Sequence, residues 1–477
     1  MNLITEIDTD NLKSNFIKAR NISGCGVNTI PVIKSDAYYV GMEKVVNALS
    51  QISPPQKKFF VYSIDEGIRL RKSFNDIEIY VLAGIFNDDF MYFIQYNLTP
   101  VINDLEQLEL CFKNKITRVI LQFNIGMNRS GLNLSLALQV RQFTKDSKMD
   151  VIMLMGHLCC ADENTIINNL QIENFKKIIT LFPEKSILKS LAASDGIINF
   201  NLNNICNSCR PGIMLYRNPS GKIIWNIKTI VKSDNGSVFL PVGLNDGFLA
   251  DYAKNGTVLI GNKEFGIKFI NNTQILLGTN DKSLEGMEAI IVNEKTYHKF
   301  LQASNTIIYE AIPRLLTKKN CPDNNILGQK IFLTVDNDGK MIELYSTLLE
   351  KRIVEYDGVV GYSATEKVRQ GQKLGLFAGG YLDGLARCIS NTGCTVFVES
   401  ETGELVECRI VGRISMDNTI IDIPEEYYSK IKVGAKVIIF DRDHGIERFE
   451  NLAKKTREEL FFCADKSAKV HITLLKK

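Results

Sequence analysis

Two residues, far apart in this chain, carry reactive side-chain groups, an amine and a phenol. The first is Lys34, which ends the apolar run Thr29-Ile30-Pro31-Val32-Ile33 and is followed by Ser35-Asp36 and a helical pattern from about Gly41. That order reads as a strand delivering an amine to its carboxyl end, where α/β barrels build their sites. A lysine so placed forms a Schiff base with an aldehyde cofactor. Alone, it equally reads as a solvated strand-end lysine. The second is Tyr362, in Gly361-Tyr362-Ser363-Ala364-Thr365, which alone is a loop aromatic. Cys206 and Cys209 have the C-x-x-C form, but no second pair accompanies them and the chain has only 4 histidines, so metal chemistry is not expected.

The elements that must position these groups follow from periodicity. Up to about residue 217, short β-rich runs alternate with helical ones. Strands are expected at 29–34, 57–64, 77–83, 98–102, 118–123, 151–155, 187–192 and 213–216. Helices are expected at 42–49, 65–74, 88–95, 104–113, 134–145 and 164–181. The alternation predicts an α/β fold, an N-terminal (β/α)8 barrel over 1–217. From about Asn218 the helical pattern stops, and short β runs are cut by Gly, Asn and Asp turns, as in β domains.

This second half repeats itself. Gly221-Lys222-Ile223-Ile224 and Thr229 resemble Gly339-Lys340-Met341-Ile342 and Thr347, each pair 118 residues apart. Gly243-Leu244-Asn245-Asp246-Gly247 resembles Gly380-Tyr381-Leu382-Asp383-Gly384, now 137 apart, and Ile270-Asn271 falls opposite Met416-Asp417. The reading is an internal duplication: two tandem mostly-β domains, 218–325 and 326–477, the first degenerate and non-catalytic. The 19 extra residues of the second copy fall in the interval that holds Tyr362.

Composition excludes other classes. The 477 residues are 45% hydrophobic and 23% charged, with a formal net charge of +3 and no basic stripe, so nucleic acid is not implied. The first residues lack the order of a signal peptide, no apolar run reaches membrane-spanning length, and the 11 cysteines have no framework spacing. A cytoplasmic protein with no membrane association is expected.

In order, the polar punctuation is Lys34-Ser35-Asp36-Ala37-Tyr38, Asn128-Arg129-Ser130-Gly131, Gly156-His157, Ser194-Asp195, Arg210-Pro211-Gly212-Ile213, Gly361-Tyr362, Gly380-Tyr381 and Ser415-Met416-Asp417. This series resembles the alanine racemase family, fold-type III enzymes that use pyridoxal 5'-phosphate. The resemblance implies an amino-acid racemase of the pathway to D-alanine, a peptidoglycan precursor. It implies that Lys34 binds the cofactor covalently and, once freed, is one base, with Tyr362 the other on the opposite face. His157 and Arg210 would be the network that lowers the tyrosine's pKa, with Arg210 facing the pyridine nitrogen. Ser194, Gly212, Ile213 and Tyr38 would serve the phosphate. Arg129 and the Met416 backbone would hold the substrate carboxylate, with Tyr381 and Asp417 in support.

The chain departs from the family's pattern at Gln122, where many members have a lysine that orients the substrate arginine; an amide there can still hydrogen-bond Arg129. Phe449 falls where a phosphate-binding tyrosine is expected. The resemblance further implies a homodimer with shared sites, each Tyr362 serving the other chain's Lys34. Alternatives are racemisation of serine or lysine, a decarboxylase of related architecture, and a non-catalytic cofactor-binding or regulatory descendant.

Overall fold

A computed structural model describes residues 3–86, 89–163, 165–217, 222–320, 331–335, 341–460 and 469–472. The expected domain boundaries near 218 and 325, the repeat positions Gly221 and Gly339, and the expected helix starts at 88 and 164 lie outside the described residues.

The chain opens with β1 (Ile4–Ile7) and a Thr9–Ser23 helix capped by the Asp8 carboxylate, neither anticipated from the sequence. Then come β2 (Asn28–Thr29), β3 (Lys58–Val61), β4 (Glu78–Val81), β5 (Thr99–Ile102), β6 (Arg118–Gln122), β7 (Asp150–Met155), β8 (Leu188–Ala193) and β9 (Ser208–Arg210). These pair in parallel in the order β2-β9-β8-β7-β6-β5-β4-β3, and a parallel bridge from Val32 to Phe60 closes the ring. Side chains alternate across each strand. Ile30, Val32, Phe60, Tyr80, Val101, Ile120, Met153 and Met155 form a cluster of their own, the barrel interior, while Phe59, Val61, Ile79 and Val81 join the main core.

The eighth strand is a correction. It is Ser208–Arg210, and the expected run 213–216 is instead a 3-10 helix, Ile213–Leu215, buried throughout. A short, fully buried apolar run does not tell strand from helix by periodicity. Here Pro211-Gly212 turns the chain out of the barrel just before it.

Two eight-stranded sheets follow. The first contains β10 (Trp225–Ile230), β11 (Lys232–Asp234), β12 (Ser237–Leu240), β13 (Thr257–Ile260), β14 (Lys263–Ile270), β15 (Ile275–Leu277) and β16 (Glu288–Val292), with β1 as its edge, antiparallel to β10. The first sheet therefore grows from both ends of the barrel sequence. The second sheet is built from β17 (Ile331–Val335) and β18 (Met341–Ile353), then β21 (Lys373–Ala378), β22 (Thr395–Glu399), β23 (Leu405–Ile410), β24 (Asn418–Asp422), β25 (Lys436–Phe440) and β26 (Lys469–Ile472). Between β18 and β21, the small hairpin of β19 (Gly358–Val360) and β20 (Glu366–Val368) presents Tyr362 in its connection.

The second half is not free of helices. Tyr297–Ser304 and Ile308–Asn320 join the two sheets. The buried set Ile308, Ala311, Ile312, Leu315 and Leu316 has the spacing of one helical face.

Both sheets carry the same loop device. The Gly243 amide donates to Asp246 at 2.8 Å and the Leu244 amide to the Asn271 carbonyl at 3.0 Å; the Gly380 amide donates to Asp383 at 2.9 Å and the Tyr381 amide to the Ser415 carbonyl at 3.0 Å. A Cβ on Gly243 would overlap the Asn271 carbonyl and one on Gly380 that of Ser415, so backbone proximity requires glycine at both. These bonds align Asn271 with Ser415. Asn272-Thr273, not Ile270-Asn271, therefore stands opposite Met416-Asp417, because the matching turns fix the register two residues away from the one expected.

Candidate active site

Lys34 does not end a regular strand. The backbone still bonds both neighbouring strands up to the Ile33 amide, which donates to the Phe60 carbonyl at 2.8 Å. From there Ser35, Asp36, Ala37, Tyr38 and Tyr39 all have φ between 50° and 63°, a left-handed turn without a glycine. Each such residue costs roughly 1–2 kcal/mol, strain of the kind that clusters at functional sites. The turn is held from outside: the Asp36 amide donates to Glu66 at 2.8 Å, the Met42 amide to Asp36 at 3.0 Å, and Arg69 pairs with Asp36 at 2.9 Å.

The carboxyl ends of the barrel strands line a cavity of about 300 Å³. Lys34 follows β2, Gln122 ends β6, His157 follows β7, Ser194 follows β8 and Arg210 ends β9. Arg129 lies in the loop after β6, and Gly212-Ile213 in the turn after β9. The second sheet roofs the cavity with Tyr362, Tyr381, Met416 and Asp417, and Tyr38 completes the wall. All twelve residues singled out from sequence line this one cavity.

At one wall the Lys34 ammonium pairs with Asp417, which is 1% exposed and also accepts from Ser35 Oγ at 2.7 Å. At another, the Tyr362 hydroxyl lies 3.1 Å from His157 Nε2, the two rings edge to face. The Arg129 guanidinium lies over the Tyr362 ring, 5.0 Å from its centroid. Burial pushes the Tyr362 phenol up, but Arg129 and Lys34 outweigh it and hold the phenol below its usual value. Burial, reinforced by Arg129, Arg210 and Lys34, holds His157 well below the usual imidazole range, so it is neutral. The cations that act most on Tyr362 are thus Arg129 and Lys34. His157 is its hydrogen-bond partner, not a charge, and Arg210 interacts electrostatically with both the histidine and the phenol.

Arg210 is fixed by Ser190 and the Gly156 carbonyl at 2.6–2.8 Å, and burial pulls its guanidinium down to about 10. Ser194 Oγ accepts the Gly212 amide at 3.0 Å and the Met214 amide at 3.2 Å, which leaves its own proton to donate into the cavity. Gly212 admits Tyr38: a Cβ would sit 2.3 Å from the tyrosine hydroxyl.

Gln122 Nε2 donates to Ser130 Oγ at 3.0 Å, and the buried Nε of Arg129 has no partner among the described residues. The hydrogen bond that the Gln122 amide could accept from Arg129 is not formed. Phe449 is fully buried under Arg448 and does not line the cavity. Tyr62 and Tyr309 do, and neither was anticipated; Tyr309 lies on the amphipathic Ile308–Asn320 helix, whose spacing was the available signal.

The resemblance implied a site shared between chains; in this structure Lys34 and Tyr362 face the cavity from the same chain. The roof is tied to its own barrel. The Gly361 amide donates to the Met127 carbonyl at 2.9 Å, the Ser363 amide to that of Cys159 at 2.8 Å, Asn128 to that of Val359 at 2.9 Å and Arg352 to that of Gly131 at 3.0 Å. The helices Tyr297–Ser304 and Ile308–Asn320 stand between β16 and the second sheet in the chain. Among the described residues, no helix is long and apolar enough to cross a membrane, and no cluster of side chains suits a metal ion.

Comparison with known proteins agrees with this geometry. Residues 7–219 match the family model "Alanine racemase, N-terminal domain" and residues 341–471 match "Alanine racemase, C-terminal domain". The alanine racemase of Rickettsia rickettsii (strain Sheila Smith) is 30% identical over 360 residues, 66% of this chain and 97% of that protein. That of Rickettsia typhi (strain Wilmington) is 28% identical over 457 residues, 92% of this chain and 91% of that protein. The solved alanine racemase of Acinetobacter baumannii shares the fold with a TM-score of 0.60 at 22% identity, over 66% of this chain and 98% of that one. The chain belongs to the alanine racemase family, isomerases that depend on pyridoxal phosphate.

Proposed function

We propose that this chain interconverts L- and D-alanine by a two-base mechanism, with Lys34 and Tyr362 as the bases. The observation that carries this is the pairing of an amine and a phenol of lowered pKa on one cavity. Racemisation needs a proton removed from one face of Cα and returned to the other.

The residues present fit pyridoxal phosphate. An amine is available for covalent attachment, Ser194 and the Ile213 amide are donors for a phosphate, and Arg210 is a fixed cation for the ring nitrogen. When bound, that cofactor supplies the electron sink that makes the Cα–H bond labile. An arginine does not readily give up a proton, so Arg210 would leave a bound cofactor's ring nitrogen unprotonated and restrain side reactions.

The chain's own groups do the rest. Arg129, with its buried Nε unpaired, and the Met416 amide, which donates to no described residue, receive the substrate carboxylate. Asp417 holds the lysine side chain in place at the cavity wall. Tyr362 gives or takes the other proton, and the Arg129 and Lys34 charges stabilise its phenolate. The segment 218–325 serves as a non-catalytic domain: it has Leu244 at the place of Tyr381 and Thr273 at that of Asp417.

A racemisation screen of the purified chain across amino acids tests the reading. Conversion of L- and D-alanine ahead of serine and lysine is expected. Absence of bound cofactor or of any racemisation would overturn it.

A further inference from the structure

We infer that Tyr309 is a further cofactor-binding residue, a hydroxyl donor to the phosphate that the linking helix brings to the barrel mouth. This rests on the proposed function and adds to it a residue that neither family-matched segment contains, since those cover 7–219 and 341–471.

The argument begins with position. The Tyr309 ring lies 6.5 Å from that of Tyr38, whose hydroxyl abuts Gly212, so Tyr309 lines the cavity beside the residues at its Ser194–Gly212 end. Its hydroxyl makes no hydrogen bond to any described residue. Burial, with Asp195 and Tyr38 next in effect, raises its phenol well above the usual value, so the group stays protonated and is a donor. A donor kept protonated and left unpaired on a cavity wall suits an anionic group of the ligand.

The helix that carries it is not a loose decoration. Ile308, Ala311 and Ile312 are buried on either side of Tyr309. The adjacent Glu310 accepts from the Arg387 amide at 3.2 Å and from Thr306 Oγ1 at 2.6 Å, tying the helix to the second sheet. The Lys455 ammonium joins Asp251 to Glu459, and the Ala250 amide donates to Glu459 at 3.1 Å, a second tie between the two sheets. The position of Tyr309 is therefore set from both sides of the connection. It supplies the hydroxyl that Phe449, buried elsewhere, does not.

The test compares two ligands on the full-length chain stripped of cofactor. Equilibrium titration should show Tyr309→Phe binding pyridoxal phosphate roughly 10- to 100-fold more weakly than the parent, the size of one hydrogen bond to a charged acceptor. Binding of pyridoxal, which has no phosphate, should be unchanged. Equal affinity of the two proteins for pyridoxal phosphate overturns the inference, and so does an equal loss with both ligands. A parent chain that binds neither ligand would instead sink the proposed function.

Discussion

The Tyr362 hydroxyl sits 3.1 Å from His157 Nε2, on a histidine that burial and three neighbouring cations keep neutral. Such a histidine can accept the phenol's proton-side hydrogen bond or donate to a phenolate, but it cannot neutralise the phenolate's charge. That task falls to Arg129 and Lys34. Tyr362→Phe removes the hydroxyl and keeps the ring packed against His157 and under Arg129. Racemisation should fall by roughly 100- to 10,000-fold, the usual worth of a general acid–base group, while the cofactor's absorbance is retained. Unchanged turnover would exclude Tyr362 as a base.

The pH dependence has a definite sign. Tyr362 must be ionised to act as a base, and its pKa lies below the usual value of 10 because Arg129 and Lys34 outweigh burial. The rising limb of kcat/KM assigned to this group should therefore lie below pH 10. Arg129→Gln removes the first of those cations, so the limb should move to higher pH while KM rises from loss of the carboxylate fork. A limb that stays in place would show that Arg129 does not set the ionisation of Tyr362.

Lys34→Ala removes the proposed attachment amine, leaving Ser194, Arg210 and the Gly212-Ile213 turn intact. The visible absorbance of the lysine-attached cofactor should vanish, while pyridoxal phosphate still binds reversibly, as dialysis would show. Retention of the same band would place the attachment on another lysine.

Much of the barrel was legible because its strands are β-rich runs, and Lys34, His157, Ser194 and Arg210 stand at or just after such runs, whereas the roof residues Tyr362, Tyr381, Met416 and Asp417 were reached only through the resemblance to the alanine racemase family. What escaped was set by contacts distant in sequence. The left-handed turn from Ser35 to Tyr39 has no glycine to announce it and exists because Glu66, Arg69 and Asp417 hold it. The 3-10 helix at Ile213–Leu215 is apolar enough to pass for a strand. The hydrogen bond that Gln122 could accept from Arg129 is not formed, and its amide nitrogen donates to Ser130, eight residues on. The Ile308–Asn320 helix did have a readable face, hidden within a region dominated by β runs and Gly/Asn turns. Which chain supplies Tyr362 is a property of the connection between the sheets, and no motif encodes it.

That connection gives a last prediction. Lys34, Ser35 and Asp417 meet at one wall, Tyr362 and His157 at another, and every one of these residues belongs to the same chain. The bonds from Gly361 and Ser363 to the loops after β6 and β7 hold the tyrosine over its own barrel. If a Lys34→Ala chain and a Tyr362→Phe chain are produced together with different tags, every cavity in the mixture lacks one base, whichever chains associate. The mixture should be no more active than the two variants alone. A pair recovered through both tags that racemises alanine would mean that an intact Tyr362 crosses to an intact Lys34 in another chain, and the one-chain arrangement would be wrong. The parent's specific activity should also be constant on dilution, because separating any associated copies leaves each cavity with both bases.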